Sequence, residues 1–173
     1  MHGLADALVE EREKYAQGEP RPLGSYAVLV AVYSTMAGGL ALVVRRRRKR
    51  GTVELPEGIP WQDLALLGVA THRLSRLIAK DSVTAVVRAP FTRFKEPAGD
   101  GEVNEDVRGT GARHAVGELL TCPFCIAQWI ATAFAFGLVL APRATRFVAA
   151  TLAAVTTSDW LQFAHSTLQK AEE

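Results

Sequence analysis

The chain has 173 residues with a formal net charge of +2, and 49% of its residues are hydrophobic. This length predicts one small domain, and the near-neutral charge gives no general reason to expect a nucleic-acid partner. Its two cysteines lie close together in the sequence, which excludes the disulfide framework of a small secreted protein.

The first 24 residues are predicted to form a short amphipathic helix and a linker. Within residues 4–16, Leu4, Leu8 and Tyr15 can share one apolar stripe. This region is too acidic, and the apolar run after it too long, for a cleavable signal peptide. We therefore expect the apolar run to stay in the mature protein.

Residues 25–44 carry no charge and are followed directly by a basic block. At helical rise, twenty apolar residues cross a hydrocarbon core of about 30 Å. The block consists of Arg45, Arg46, Arg47, Arg48, Lys49 and Arg50. Basic residues beside a span stay on the cytoplasmic side, and each attracts anionic headgroups by about 1 kcal/mol. We expect an added first transmembrane helix, then a basic connection over residues 45–60 that contacts lipid headgroups rather than nucleic acid.

Residues 61–79 are apolar enough for a helix, but their charges make them a marginal transmembrane span. Asp63, Arg73 and Arg76 interrupt the stretch, and a central arginine costs roughly 2.5–3.5 kcal/mol on insertion scales. The helix is predicted to continue to the break before Pro90. If this stretch spans, the chain has four transmembrane helices with both termini outside. The alternative is three such helices and one amphipathic or re-entrant helix.

The remaining segments complete a predicted membrane core over residues 61–165. Residues 92–116 are polar and rich in Gly, Asp and Glu, so a mobile loop is expected. Two clear apolar stretches follow, at 122–141 and 146–165, and residues 166–173 form a C-terminal tail. The predicted fold class is all-α: an integral membrane helical bundle with four transmembrane helices and a short N-terminal amphipathic helix.

The sequence Cys122-Pro123-Phe124-Cys125 stands where the third span should begin. Proline suits the first helical position, which makes Cys122 the expected N-cap, and a helix N-terminus favours its thiolate. Three interpretations stay open: packing by two small apolar residues, a reversible redox pair, and a zinc or copper site that includes His114. No other cofactor and no other catalytic residue is predicted.

A second group of candidate residues is electrostatic. Arg73 and Arg76 lie on one face of the second helix, and Asp159 is an isolated carboxylate in the last span. Because unpaired charge is costly in hydrocarbon, Asp159 is expected to face one of these arginines, with Glu118 as a second partner. The pair could set helix register or belong to a proton or ion path. We favour the structural role, because a transport path needs a longer polar chain.

Residues 71–91 and 117–131 together resemble the bacterial membrane-protein family called domain of unknown function 1360. The matching positions are Arg73, Arg76, Asp81, Thr84, Arg88, Pro90, Phe91, Glu118, Cys122, Cys125 and Trp129. The resemblance covers about residues 61–165 and implies a small bundle whose core includes the second stretch. It also implies a shared polar site, but no activity, and some members are labelled sporulation proteins.

The functional prediction is a multi-pass protein of the bacterial cytoplasmic membrane that acts as a non-enzymatic scaffold or partner subunit of an envelope complex. The alternatives are a thiol-disulfide or metal-handling protein that uses Cys122 and Cys125, and a small transporter subunit that uses Asp159. The expected partners are the lipid bilayer and other membrane proteins or further copies of the chain. No phosphate loop, zinc-protease motif or nucleophile elbow is found.

Overall fold

The computed structural model of this chain describes residues 3, 10–11, 13–17 and 21–172. Most of the amphipathic helix predicted over residues 4–16 lies outside the described residues, although residues 10, 11 and 13–16 are helical. From residue 21 onwards the chain forms six helices and one two-stranded sheet. The predicted all-α class is confirmed in part, since the described residues are mostly helical but include a small two-stranded sheet. Of the four predicted transmembrane helices, two are long and apolar enough to span.

The elements follow one another in a simple order. They are α1 (Leu23–Lys49), α2 (Trp61–Ala79), α3 (Ala85–Arg88), β1 (Thr92–Gly99), β2 (Glu102–Val107), α4 (Gly111–Thr121), α5 (Pro123–Leu140) and α6 (Pro142–Glu172). Helix α2 packs against both α5 and α6, while α1 packs against α4 and α5. The four long helices therefore form the bundle, and the shorter elements gather at one end of it.

Two of the described helices, α1 and α5, are long and apolar enough to cross a membrane. Only 6% of the most apolar stretch of α1 and 11% of that of α5 are buried. The core helix of a water-soluble protein would be mostly buried, so the exposed apolar surface of these helices needs another cover. Helices α2 and α6 fall short of the same criterion, because charged residues such as Arg73 and Asp159 interrupt them.

The basic block is part of α1 rather than of a connection. Arg and Lys are good helix formers, and positive charge is favourable in the last turn of a helix. The helix ends at Lys49, Arg50 is its C-cap, and Gly51 follows with a φ of +66°. There the amide of Gly51 donates to the Arg48 carbonyl at 2.9 Å, and that of Thr52 donates to the Arg47 carbonyl at 3.0 Å. This paired pattern, with glycine in the left-handed conformation, is a common helix terminator.

The segment expected to be a loop over residues 92–116 forms a β-hairpin and most of α4. Strands β1 and β2 are antiparallel, with Thr92 opposite Val107 and Gly99 opposite Glu102. Asp100 and Gly101 make the two-residue turn, and Gly101 has a φ of +78°, which glycine adopts without steric cost. The hairpin contains few apolar residues, which is why its pattern was interpreted as a loop.

The prediction that α2 continues to the break before Pro90 is wrong, because the helix ends at Ala79. The amide of Val103 donates to the Lys80 carbonyl at 2.9 Å, and that of Ser82 donates to the Gly101 carbonyl at 2.8 Å. The hairpin therefore takes hydrogen bonds that a longer helix would have made along its own axis.

The buried core is small and lies between α2, α5 and α6. It consists of Leu67, Ala70, Ile130, Phe134 and Ala149. Close approach of α5 and α6 relies on Gly137, where an added Cβ would lie 2.7 Å from the Thr145 Oγ1 atom. Large apolar side chains elsewhere on the bundle are exposed, including Val30 on α1 and Phe147 on α6.

The bundle has two polar ends, which we name here. The hairpin end comprises β1, β2, α3 and α4, together with the start of α1, the end of α2 and the start of α5. The basic end comprises the end of α1 with its basic block, residues 51–60, the start of α2, the end of α5 and the start of α6.

Candidate functional site

The centre of the hairpin end is Arg88, whose side chain is completely buried. Its Nε donates to the Glu105 carboxylate on β2, which is itself 5% exposed. Its Nη1 donates to the Ile78 carbonyl at 2.6 Å and to the Thr84 hydroxyl at 2.9 Å, and its Nη2 donates to the Asp81 carbonyl at 2.9 Å. The guanidinium thus satisfies the end of α2 and holds the hairpin against it.

Thr84 completes the same helix end. Its hydroxyl donates to the Leu77 carbonyl and, at 3.0 Å, to the Asp81 carbonyl. The carbonyls at a helix C-terminus lack partners within the helix, so side chains of the following turn supply them here. Arg88 and Thr84 therefore serve as distant caps, and this explains why α2 stops where it does.

A second ion pair joins α2 to the hairpin turn. The Arg76 guanidinium binds the Glu102 carboxylate in a two-point contact, with Nε to Oε1 at 2.9 Å. An isolated backbone bridge pairs Asp81 with Glu102 directly beneath it. Paired, two-point contacts of this type fix orientation as well as position.

The expected approach of Asp159 to an arginine is present, and the partner is Arg73. The Arg73 Nη1 atom lies 3.5 Å from the Asp159 Oδ2 atom, and Nη2 lies 4.0 Å from the Asp81 Oδ2 atom. Both distances exceed the 2.7–2.9 Å that is typical of charge-assisted hydrogen bonds. Asp81 also accepts a hydrogen bond from the Val83 amide at 3.0 Å, which fixes its carboxylate at the start of the turn.

Glu118 does not meet these arginines, contrary to expectation. It accepts a hydrogen bond from the Tyr26 hydroxyl near the start of α1, and its Oε1 atom lies 3.3 Å from Arg21 Nη1 and 3.4 Å from His114 Nε2. Glu118 thus ties α1 to α4. Its contacts are therefore with Tyr26, Arg21 and His114 and not with Arg73 or Arg76.

Cys122 and Cys125 form a disulfide at the start of α5, with their Cα atoms 5.2 Å apart. Cys122 is the N-cap as predicted, and its Sγ atom accepts a hydrogen bond from the Cys125 amide at 3.1 Å. Pro123 occupies the first turn, where its missing N–H costs nothing. Phe124, between the cysteines, is 89% exposed, so a partner can reach this turn of the helix.

Metal binding has no ligand set among the residues that the structure describes. In that part of the chain, no three His, Cys, Asp or Glu side chains are grouped so as to hold a metal ion. His114, the additional ligand proposed from the sequence, lies beside Glu118 instead.

The basic end has a different character. Arg45 to Arg50 are all exposed, and no ion pair to them occurs within the described ranges. One strong pair does lie here: Arg146 on α6 binds Asp63 on α2, with Nε to Oδ1 at 2.8 Å and Nη2 to Oδ2 at 2.7 Å. This contact joins the starts of two parallel helices.

A polar cleft opens at the hairpin end between α2, the hairpin turn and α6. Its volume is about 860 Å³, and it contains the loosely paired Arg73 and Asp159. Trp160 and Phe163 of α6 form its far wall. The arrangement brings three predicted residues, Arg73, Asp81 and Asp159, to one surface that solvent or a ligand can enter.

Sequence reasoning missed the acidic partners Glu102 and Glu105 and the pair of Asp63 with Arg146. The Asp100–Gly101 dipeptide was an available signal for the first two, because it is typical of two-residue hairpin turns. A hairpin there would have returned acidic residues toward Arg76 and Arg88. For the pair at the basic end, the signal was a carboxylate and a guanidinium at the starts of two apolar stretches.

The comparisons with known proteins support the family resemblance. The family described as "Protein of unknown function (DUF1360)" matches residues 66–165. "Sporulation protein YjcA" of Bacillus subtilis (strain 168) is 33% identical over 93 residues, which cover 52% of this chain and 79% of that protein. No solved structure matches. The matched residues cover more than half of the chain and include the hairpin, α3, α4 and α5 but not α1. The chain therefore belongs to the DUF1360 family.

Proposed function

We propose that this chain is a four-span protein of the bacterial cytoplasmic membrane that acts as a non-enzymatic partner subunit of an envelope complex. Its hairpin end would lie outside and its basic end in the cytoplasm. The observation that carries the proposal is the contrast between the buried polar groups and the exposed apolar side chains. The buried guanidinium of Arg88 is consumed in holding the fold, whereas apolar side chains are exposed along the bundle and at the hairpin end.

The membrane part of the proposal is supported by packing and by length. Helix α2 lies along α5 and α6 through the core around Ala70 and Phe134, so the three helices share one depth. The 18 residues of α5 and the 19 of α2 would each span about 27–29 Å at helical rise. Arg73 and Asp159, two of the charges that interrupt α2 and α6, face each other, which reduces the cost of placing them at the edge of a bilayer.

Aromatic and basic residues support the orientation. Trp61 at the basic end is 73% exposed and Trp160 near the hairpin end is 65% exposed, as expected for rings at the two interfaces. The basic block favours a cytoplasmic location for its own end. The Cys122–Cys125 disulfide would then lie outside, where disulfides persist more readily than in a reducing cytoplasm.

The partner part of the proposal is supported by exposed apolar side chains at the hairpin end. Val83 just before α3 and Val86 within it are 82% and 77% exposed, Phe94 on β1 is 65% exposed and Phe124 is 89% exposed. Exposed apolar patches mark contacts with proteins or with the membrane, and we assign these side chains to a protein because they stand among the polar, ion-paired residues of the hairpin end. The Bacillus subtilis relative is named for a process and not for a reaction, which is compatible with a non-enzymatic role.

Site-specific photo-crosslinking in native membranes would test this role. A photoreactive residue at Val86, Phe94 or Phe124 should give one discrete protein adduct. The same residue at Val30 or Val32, which are exposed on α1, should give lipid adducts as the control. If the hairpin-end positions gave only lipid adducts, the partner role would be wrong.

A second candidate function rests on the exposed turn around the disulfide. In its reduced form, the Cys122 thiolate at the helix N-terminus would attack a partner's disulfide, and Cys125 would resolve the mixed disulfide. The chain would end oxidised, as in the structure, and the partner would end as a dithiol. Thiol labelling in native membranes should then detect both redox states of the pair. Full function of the Cys122→Ser, Cys125→Ser variant would contradict this candidate and leave the partner role intact.

A further inference from the structure

The polar cleft combines both signs of charge with aromatic rings, and it has the size of a small-ligand site. Its volume of about 860 Å³ lies within the range of known ligand pockets, about 300–1,000 Å³. Four segments form it: the last turns of α2, the turn that follows α2, the hairpin turn and the second half of α6. Asp159, Trp160 and Phe163 of α6 line it, and Phe163 lies four residues from Asp159 and three from Trp160, the spacings at which helical side chains are neighbours.

The charges in the cleft are unequal in how well they are paired. Arg76 is already paired with Glu102 in a two-point contact. Arg73 is shared between Asp159 at 3.5 Å and Asp81 at 4.0 Å, so its hydrogen-bonding capacity is poorly used. The Asp159 side chain is 47% exposed. Arg73 and Asp159, side by side, can therefore receive a ligand that carries a negative and a positive group. The other carboxylates that line the cleft, Asp81, Asp100 and Glu102, make its acidic charge exceed its basic charge and so favour a ligand with a positive group.

The aromatic wall favours a positive group next to Asp159. Trp160 and Phe163 are 65% and 75% exposed, and their ring faces can attract an ammonium group. Exposed rings of this kind are also typical of the headgroup layer of a membrane.

The position of the cleft along the bundle indicates that such a ligand would come from the membrane. Asp159 lies about 26 Å along α6 from Pro142, while α5 spans about 27 Å from the basic end to Cys122. If α5 crosses the hydrocarbon core, Asp159 stands at its outer boundary, where phospholipid headgroups lie.

We propose that this cleft binds the headgroup of a zwitterionic phospholipid, with the phosphate on Arg73 and the ammonium group on Asp159 beside Trp160. The inference rests on the proposed membrane location and adds a ligand class to it. Binding would replace the long contact between Arg73 and Asp159 with two shorter, charge-assisted ones. A phosphate without an ammonium group would satisfy Arg73 and leave Asp159 beside a negative charge, so anionic lipids should bind less well.

Native mass spectrometry of the full-length protein in detergent would test this binding. The probes are dihexanoyl phosphatidylethanolamine and dihexanoyl phosphatidylglycerol, each titrated separately. We expect the ethanolamine lipid to bind at least about tenfold more tightly, since a hydrogen bond between charged groups is worth a factor of this order or more. Asp159→Asn and Arg73→Gln should each remove that preference.

Two substitutions of the same chemistry serve as controls. Asp106→Asn on β2 and Arg143→Gln on α6 change exposed side chains outside the cleft, and they should leave both affinities unchanged. The thermal unfolding midpoint of each variant reports whether it is folded. Asp159→Asn keeps the proposal falsifiable if Arg73→Gln does not fold, because the Asp159 side chain is half exposed.

Three results would overturn the proposal. They are equal affinity for the two lipids, an ethanolamine preference that survives Asp159→Asn, and binding of soluble glycerophosphoethanolamine as tightly as of the lipid. The last result would identify a free metabolite as the ligand. A protein that spans the membrane as proposed but gives any of these results loses this inference alone, whereas a protein that alkaline carbonate washes from the membrane loses the proposed function too.

Discussion

The two ends of the bundle both hold arginines, but they use them differently. At the hairpin end, Arg88 is fully buried and bonded to groups from α2, the following turn and β2. At the basic end, Arg45 to Arg50 are exposed on the last turns of α1, and the one strong pair, Arg146 with Asp63, keeps half of the arginine side chain in solvent.

The arginines at one end therefore stabilise the fold, and those at the other end set the orientation of the protein in a membrane. A buried, fully bonded guanidinium fixes the shape of its surroundings, because removing either partner leaves an uncompensated charge. Exposed arginines next to an apolar helix contribute little to the fold but decide which side of a membrane they occupy. Single substitutions at the hairpin end are therefore expected to lower the stability of the fold. Substitutions in the basic block are expected to change the topology in the membrane instead.

The largest stability loss should follow Arg88→Gln. Removing one partner of a buried ion pair typically costs about 3–5 kcal/mol, and here the end of α2 would lose its caps as well. The fall in the unfolding midpoint in detergent measures this loss, together with faster proteolysis of the hairpin. Arg93→Gln, on the exposed face of β1, is the control and should change the midpoint little. Equal effects of the two substitutions would show that the hydrogen bonds of Arg88 do not stabilise the hairpin end.

A smaller loss is expected from Gly117→Ala, which tests packing at the hairpin end without touching a charge. An added Cβ would lie 2.5 Å from the Val107 Cγ1 atom and 3.0 Å from the Phe91 carbonyl oxygen. Overpacking of this kind typically costs about 1–3 kcal/mol. Gly68→Ala on α2 meets no atom within 4 Å and should be neutral or slightly stabilising in the same thermal measurement. If Gly117→Ala left the unfolding midpoint unchanged, α4 would not pack closely against the hairpin.

The smallest of these stability effects should follow Asp63→Asn at the basic end. The substitution weakens the contact with Arg146, but that guanidinium is half exposed and water can solvate it. We expect a lower unfolding midpoint than for the unaltered protein, but a higher one than for Arg88→Gln. A loss as large as that of Arg88→Gln would remove the distinction between the two ends.

The parts of the fold that could be predicted from sequence are those decided by local pattern. Uninterrupted apolarity predicted α1 and α5, the proline after Cys122 predicted the start of α5, and the cost of isolated charge predicted that Asp159 faces an arginine. Each depends on neighbouring residues or on one strong physical penalty.

The parts that could not be predicted depend on contacts between distant segments. The hairpin is polar, and it is held by Glu102 and Glu105 through arginines on α2 and α3. Helix α2 ends at Ala79 because groups that follow it in the chain take over its last carbonyls, among them Arg88. Helix or strand propensity carries no information about such partners, although the Asp100–Gly101 turn signal was present.

Side-specific labelling tests the central claim, that the bundle crosses the membrane with its hairpin end outside. A single reactive cysteine would be placed by Asp106→Cys on β2 or by Glu54→Cys in the basic-end connection, in a Cys122→Ser, Cys125→Ser background. Intact cells whose cytoplasmic membrane is accessible would then be treated with a membrane-impermeant maleimide. The account predicts labelling of the Asp106→Cys protein in intact cells and of the Glu54→Cys protein only after lysis. Labelling of both, or of neither, in intact cells would contradict it.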